Sequence, residues 1–292
     1  MTRFDILLKG KLTPTERKKL RTSLDILGEI AIVEIPRELS KRSSVIGTAI
    51  LKANPQLRAV FKKATPVRGE FRIRGLKRIA GKGGTLITYR ENTCAFKFDI
   101  AKVFFTPRMS SERLRVARQI KNGEIVVDMF AGVGPFAILI AKTQPHVGMI
   151  HVIDSNPEAI KYLLESASMN KISHKISAYI GDSRAVIEAY LIGIADRIIM
   201  NLPLTEEQFF PSALKTIKKS GILHFYTFAK TEKEVQSKIR RSLQKRAIFK
   251  ILKIRKVRQY APRIWNFVAD IRIERKLNKS RQAASRPGHI RS

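Results

Sequence analysis

Apolar and polar positions follow two different rhythms along this chain. Up to about residue 105 the apolar runs are short and broken by turn formers. Pro14 after Thr13 is a helix-start signal in an otherwise basic segment, residues 1–24. Ile30–Ile35 (IAIVEI) is β-branched, ends at Pro36 and predicts a strand. Leu39–Ala53 has helical apolar spacing and stops at Asn54-Pro55. FRIRGL, GTLITYR and CAFKFDI are short strand patterns separated by Gly and Asn turns. Residues 25–105 therefore predict a small α+β domain.

From about Thr106 the pattern alternates strictly. Helical stretches are predicted at Ser110–Lys121, Pro135–Lys142, Pro157–Asn170, Ala185–Leu191, Phe209–Lys218 and Lys230–Lys245. Strands are predicted between them at Ile125–Phe130, Gly148–Asp154, Ile176–Gly181, Arg197–Asn201 and Gly221–Phe228. This alternation implies a mostly parallel, doubly wound α/β sheet over residues 106–275. Two late strands, Phe249–Lys256 and Phe267–Ile273, have no helix between them and predict a β-hairpin at the sheet edge. Residues 276–292 are polar, basic and aperiodic, which predicts a disordered tail.

Charge narrows the partners. Lys and Arg number 57 against 24 Asp and Glu, a formal +33. Self-repulsion on that scale calls for a polyanion, and nucleic acid is the obvious one. Hydrophobic residues make up 44% of the chain, enough for a packed core. No apolar run reaches membrane-spanning length, and MTRFDILLKGKL lacks a signal-peptide layout. The single cysteine, Cys94, excludes an intrachain disulfide, and the scattered histidines predict no metal site. These features predict a cytoplasmic protein.

The chemistry starts at Val126–Phe136 (VVDMFAGVGPF), a glycine turn between a predicted strand and a predicted helix. Gly132 and Gly134 permit a tight turn and close ligand approach. Asp154 ends the next strand, where a carboxylate can hold both ribose hydroxyls of a nucleoside. Gly132-x-Gly134-x-x-Ala137 with a later acid also describes a dinucleotide fold. Three further features favour S-adenosyl-L-methionine. Asp128 stands four residues before the first glycine, suited to a positively charged amino-acid moiety. Asp182 follows the third strand, suited to an adenine edge. Asn201-Leu202-Pro203 ends the fourth strand, at the topological switch point. For Asp128 and Asp182 turn capping is the competing role.

At these motifs the sequence resembles the archaeal and eukaryotic tRNA (guanine-N1-)-methyltransferases that modify guanosine-37, beside the anticodon. The resemblance rests on LDILGEIAIVEIP, GEFRIR, FFTPRMSSER, DMFAGVGPF, IDSNPEA, NLP and RQYAPRIWNFVADI. It implies a Rossmann-like class I methyltransferase that takes S-adenosyl-L-methionine and acts as a monomer on the tRNA anticodon stem-loop, with no role on DNA. It places a general base at Glu112 and a donor to guanine O6 at Arg72. Asn201 would read the N1/N2 edge and Pro203 would shape the pocket. Asp128, Phe130, Gly132, Gly134, Asp154, Asp182 and Asn201 are the implied cofactor contacts. Phe104, Arg108, Arg113, Arg258, Tyr260 and Arg263 are the implied RNA contacts. Arg108 and Arg113 would either orient Glu112 or meet phosphates. Relatives often carry a further N-terminal domain that grips the outer corner of tRNA, for which residues 1–24 are too short. Relatives also often show Tyr-Phe where Phe104-Phe105 stands, which preserves stacking but removes a hydroxyl.

Two other readings stay open. One is transfer of the aminocarboxypropyl group, or of methyl, to a wybutosine-type precursor in tRNA on the same fold. The other is a non-catalytic RNA-binding protein. Leu204 after Pro203, in place of an aromatic, argues against adenine-N6 methylation. For Glu112 an ordinary ion pair with Arg115 or Arg108 competes with the base role. For Trp265 core-edge packing competes with base stacking.

Overall fold

The computed structural model describes residues 3–20, 24–65, 75–203 and 206–277. Arg72, most of FRIRGL and residues 278–292 of the expected tail lie outside the described residues. In chain order the elements are α1 (Arg3–Leu8), α2 (Pro14–Lys19), β1 (Leu24–Leu27), β2 (Ile30–Val33), α3 (Ser43–Ala53), β3 (Ala59–Lys63), β4 (Leu76–Gly81), β5 (Leu86–Glu91), β6 (Cys94–Asp99) and α4 (Ser110–Ala117). They continue as β7 (Val126–Asp128), α5 (Pro135–Thr143), β8 (Ile150–Asp154), α6 (Pro157–Met169), β9 (Ile176–Ile180), α7 (Ser183–Tyr190) and β10 (Ala195–Met200). Then follow α8 (Phe210–Thr216), β11 (Ile217–Ala229), α9 (Glu232–Leu243), β12 (Ala247–Ala261) and β13 (Ile264–Lys276). The chain forms two compact units. One comprises Met1–Ile120, Ala131–Pro145 and Asp154–Ile180; the other comprises Lys121–Phe130, His146–Ile153 and Gly181–Ser292.

In the first unit local chemistry sets the helix starts. Thr13 and Glu16 form a reciprocal capping box at α2, with Pro14 in the first turn. Asn156 caps α6 ahead of Pro157. The four-stranded sheet runs β1-β2-β3-β4, with β2 and β3 parallel. Its core gathers Leu8, Leu12, Val33, Leu39, Ile46, Ile50 and Val60. β1 and β3 are not read from the sequence, because LDIL and AVFKK lack the run of β-branched residues that marks β2.

The β5–β6 hairpin turns on Asn92 and Thr93, both at positive φ, as a two-residue primed turn requires. Its inner face holds Phe96 and Phe98 against Phe105. α6 clasps this hairpin through its side chains. Asn170 accepts from the Ala95 amide at 3.0 Å and donates to the Ala95 carbonyl at 2.6 Å. The expected helix Ser110–Lys121 ends at Ala117.

The second unit is built on a mostly parallel sheet, as the alternation implies. Its strands run β12-β13-β11-β10-β7-β8. β8, β7, β10 and β11 are parallel, and β11, β13 and β12 are antiparallel. Strands buried on both faces read as continuous apolar runs, here Val126, Val127, Ile198 and Ile199. The expected helix Phe209–Lys218 ends at Thr216, and β11 starts at Ile217. The two late strands are longer than expected and form one continuous hairpin. A buried polar chain crosses this sheet. Arg197 pairs with Glu124 at 2.8 Å, His224 lies 2.8 Å from Arg197 and 2.6 Å from Asp270. Arginine only donates, so His224 Nε2 accepts and the Nδ1 proton goes to Asp270. His224 and Tyr226 are core residues, both fully buried.

A buried ion pair ties α4 to the hairpin in the first unit. The Arg113 fork donates to Glu91 at 2.6 and 2.8 Å, and both side chains are about as buried as the apolar core. Removing one partner strands a buried charge. Glu91→Ala is expected to cost about 3–5 kcal/mol in urea or thermal unfolding; a loss below about 1 kcal/mol would show that the pair does not anchor the hairpin.

Candidate functional site

The glycine turn after β7 is held by a strand-end acid. Gly132 and Gly134 adopt φ of +55° and +75°, a left-handed conformation that L side chains resist. A Cβ at Gly134 would lie 2.6 Å from Leu163 Cγ, so close packing against α6 also demands glycine there. Asp154 Oδ2 accepts from the Gly132 amide at 2.7 Å, and Oδ1 accepts from the Asn156 amide at 2.9 Å. The acid is therefore oriented by the turn on one side and by the α6 cap on the other.

FFTPRMSSER separates its side chains sharply. Phe105 points inward, its ring 4.8 Å from Phe98 and 5.1 Å from Tyr89, with the Arg113 guanidinium 5.1 Å above it. Phe104 is 39% exposed. Of the two adjacent phenylalanines, one is therefore packed in the aromatic cluster and the other is exposed. Arg113 is buried on Glu91 and also donates to the Thr106 carbonyl at 3.0 Å. That geometry leaves Arg113 no phosphate role. Arg108 is exposed and pairs with Asp25 at 2.6 Å. Glu112 is 7% exposed, and Arg115 forks onto both its oxygens at 2.7 and 2.8 Å. The ion pair considered from the sequence is present, but on a buried acid rather than a surface one. A carboxylate has about four acceptor sites, so a two-pronged arginine does not exhaust it.

The second unit carries the remaining residues. Asp128 ends β7, is 1% exposed and accepts from the Phe130 amide at 3.3 Å. Phe130 meets Phe209 edge to face at 4.8 Å, and the Arg184 guanidinium lies 5.3 Å over Phe209. Asp182 caps α7 through the Arg184 amide and pairs with the Arg184 side chain at 2.6 Å. That hydrogen-bonded arginine holds the Asp182 carboxyl below the usual carboxylate range. Asn201 is half-buried just past β10, and Pro203 is buried. Arg263 sits in the β12–β13 turn at φ +62°.

Hairpin register divides the RQYAPRIW segment. Tyr260 stacks on Phe228 at 3.9 Å between centroids. Trp265 lies on the opposite face of the sheet, with the Lys256 ammonium 4.7 Å above its ring. The two aromatics therefore do not form one stacking surface. Phe209 and Arg184 join the candidate residues only in three dimensions, whereas Arg115 was already a candidate partner of Glu112. Helical i,i+3 spacing was the available signal for Arg115, and nothing in the sequence signals the other two. Among the described residues no three of His, Cys, Asp and Glu cluster as a metal site, and no helix is long and apolar enough to cross a membrane.

A parallel sheet with an antiparallel final pair, entered through a glycine turn that a strand-end acid holds, is the class I methyltransferase arrangement. A family model described as the TRM5/TYW2 methyltransferase domain matches residues 87–254, and one described as the TYW2 N-terminal domain matches residues 4–84. The chain belongs to the TRM5/TYW2 methyltransferase family. It is 41% identical over 261 residues to the tRNA (guanine(37)-N(1))-methyltransferase Trm5b of Pyrococcus abyssi, covering 88% of this chain and 76% of that protein. It is 31% identical to the tRNA(Phe) (4-demethylwyosine(37)-C(7)) aminocarboxypropyltransferase of Methanocaldococcus jannaschii, covering 85% of this chain and 97% of that one. Among solved structures, a complex of aTrm5 with tRNALeu superposes with a TM-score of 0.83 at 32% identity, over 94% of this chain and 78% of that one. TYW2 of P. horikoshii in complex with MeSAdo superposes with a TM-score of 0.77 at 26% identity, over 93% and 98%.

Asp154→Ala removes the acceptor that fixes the Gly132 amide. Hydrogen exchange at Gly132 is expected to accelerate about tenfold or more while global unfolding shifts by about 1–3 kcal/mol, as for the two hydrogen bonds lost. Unchanged exchange would mean that the turn holds without the acid.

Proposed function

We propose that this protein transfers a methyl group from S-adenosyl-L-methionine to N1 of guanosine-37 in tRNA. The likeness to Trm5b over 88% of the chain carries this reading. The donor set fits the cofactor. A glycine turn that tolerates no Cβ at Gly134 gives close backbone approach, and the strand-end Asp154 suits a ribose. Asp128 supplies a buried carboxylate for a cationic amino-acid moiety, and Phe130 and Asp182 supply an aromatic face and an acceptor for adenine. The bound cofactor supplies an electrophilic methyl on a positively charged sulfur.

The work of the chain is proton removal and charge stabilisation. Guanine N1 carries a proton at neutral pH, so a base must take it while charge moves to O6. In this reading Glu112 accepts that proton, held in one orientation by Arg115. Arg72 donates to O6, Asn201 reads the N1/N2 edge, and Pro203 fixes the wall beside it. Phe104, Arg108, Arg258, Tyr260 and Arg263 serve the RNA. Residues 25–105 form an RNA-facing domain, and 106–275 hold cofactor and target base. The protein acts as a cytoplasmic monomer on the anticodon stem-loop and not on DNA; the likeness to a Trm5 solved with tRNALeu and the net charge of +33 support the RNA part of this reading.

The likeness to the aminocarboxypropyltransferase and the TYW2 N-terminal match favour a second reading, group transfer to a wybutosine-type precursor. Mass analysis of the product separates the two: a gain of one methyl supports methyl transfer, and a gain of the larger group overturns it. Glu112→Gln is expected to leave cofactor and tRNA affinity nearly unchanged and to slow single-turnover methylation by about 10²-fold or more. Equal loss of tRNA affinity would assign Glu112 a structural role.

A further inference from the structure

The β12–β13 hairpin carries a charge pattern that methyl transfer does not use. β12 is an edge strand of the sheet. It contains Lys250, Lys253, Arg255, Lys256 and Arg258 and no acid. Strict alternation would scatter these cations over both faces, since 250 and 253, like 255 and 258, differ by odd steps. The observed register does otherwise. β13 pairs with β11 without a shift from Ile273 to Trp265, so Asn266, Val268, Asp270 and Arg272 share one face. Lys250 opposes Arg272, Lys253 opposes Asp270, Arg255 opposes Val268 and Arg258 opposes Asn266. Register shifts between Ile251 and Lys253 and between Lys256 and Arg258 produce this alignment. A bulge re-aims the side chains that follow it. Two bulges here bring four cations of β12 onto a single face.

That face is open at the edge. Lys250, Lys253, Arg255 and Arg272 are exposed, and among the described residues none of them meets a carboxylate. Lys250 and Arg272 stand directly opposite each other, a like-charge pair that disfavours the hairpin unless an anion lies over it. Of the two acids on β13, Asp270 is buried on His224, and Glu274 lies beyond Arg272 at the far end. The other end of the row reaches Tyr260, stacked on Phe228, which shares the face through its pairing with Asn266. Between positions 266 and 272 of β13 the row spans roughly 20 Å. A row of that length faces several consecutive phosphates of one strand.

We propose that this face of the β12–β13 hairpin is a phosphate track for a continuous strand of the RNA substrate, made by Lys250, Lys253, Arg255 and Arg272 and leading to Tyr260. The inference rests on the reading that the substrate is RNA. It adds a binding surface on the hairpin to the residues that face the target base. A stretch of backbone is the occupant the charge fits, because the row is linear and basic and its exposed members are cations.

The test uses the full chain with Lys250→Gln, Lys253→Gln and Arg255→Gln together. A control with the same charge change carries Lys121→Gln, Lys233→Gln and Arg240→Gln, which are exposed elsewhere in this unit. Affinity for a full-length tRNA transcript is measured from 50 to about 300 mM salt, with cofactor affinity and saturated single-turnover rate alongside. The hairpin variant is expected to bind tRNA roughly tenfold more weakly, with a log–log salt slope shallower by about 2–3. Its cofactor affinity and its saturated rate should stay within about twofold of the parent protein. An unchanged slope, or an equal loss in the control, overturns the proposal. Self-association of the variant with intact tRNA affinity also overturns it, and assigns the lysines to protecting a sheet edge. If the parent protein binds tRNA through this face but transfers no methyl, the track stands and the catalytic reading falls.

Discussion

One hydrogen bond, from the Gly132 amide to Asp154, organises the candidate chemistry. It joins the turn after the first parallel strand to the end of the second, and it needs a backbone conformation that only glycine accepts easily. The same acid takes the Asn156 amide, and Asn156 in turn caps α6. Ligand approach, acid orientation and the start of a helix are thereby set by one carboxylate and three amides. Gly134 adds a steric constraint, because Leu163 of α6 occupies the space of its absent side chain.

Much of this was legible in the sequence, for local reasons. A glycine turn between an apolar strand and a helix, an acid at a strand end and an amide at a switch point are short-range patterns. The strand–helix alternation after Thr106 gave element order directly. What could not be read depends on partners distant in sequence. Arg113 and Arg115 are two residues apart on α4. One turns inward to Glu91, and the other forks onto Glu112. Helical spacing offers Arg115 to Glu112, but nothing local pairs Arg113 with Glu91, 22 residues earlier. Phe104 and Phe105 pose the same problem, resolved only by the aromatic cluster under β5 and β6.

Bulges are the other source of illegibility. The basic character of β12 is plain from composition, but the face each cation occupies depends on where the register slips. A periodicity count assumes a constant period of two, and the hairpin breaks it repeatedly. The same slips separate Tyr260 from Trp265, which the sequence presents as neighbours in one recognition segment. Charge that looks diffuse along the chain is, on this hairpin, ordered into a row.

Nucleoside mass mapping decides whether the site acts on one atom of one base. Unmodified tRNA transcripts with guanosine or adenosine at position 37 are incubated with the protein and S-adenosyl-L-methionine, then digested and mapped. One methyl on N1 of guanosine-37 and none on the adenosine transcript is the expected result. A methyl on another atom or position, or equal modification of both transcripts, would contradict it.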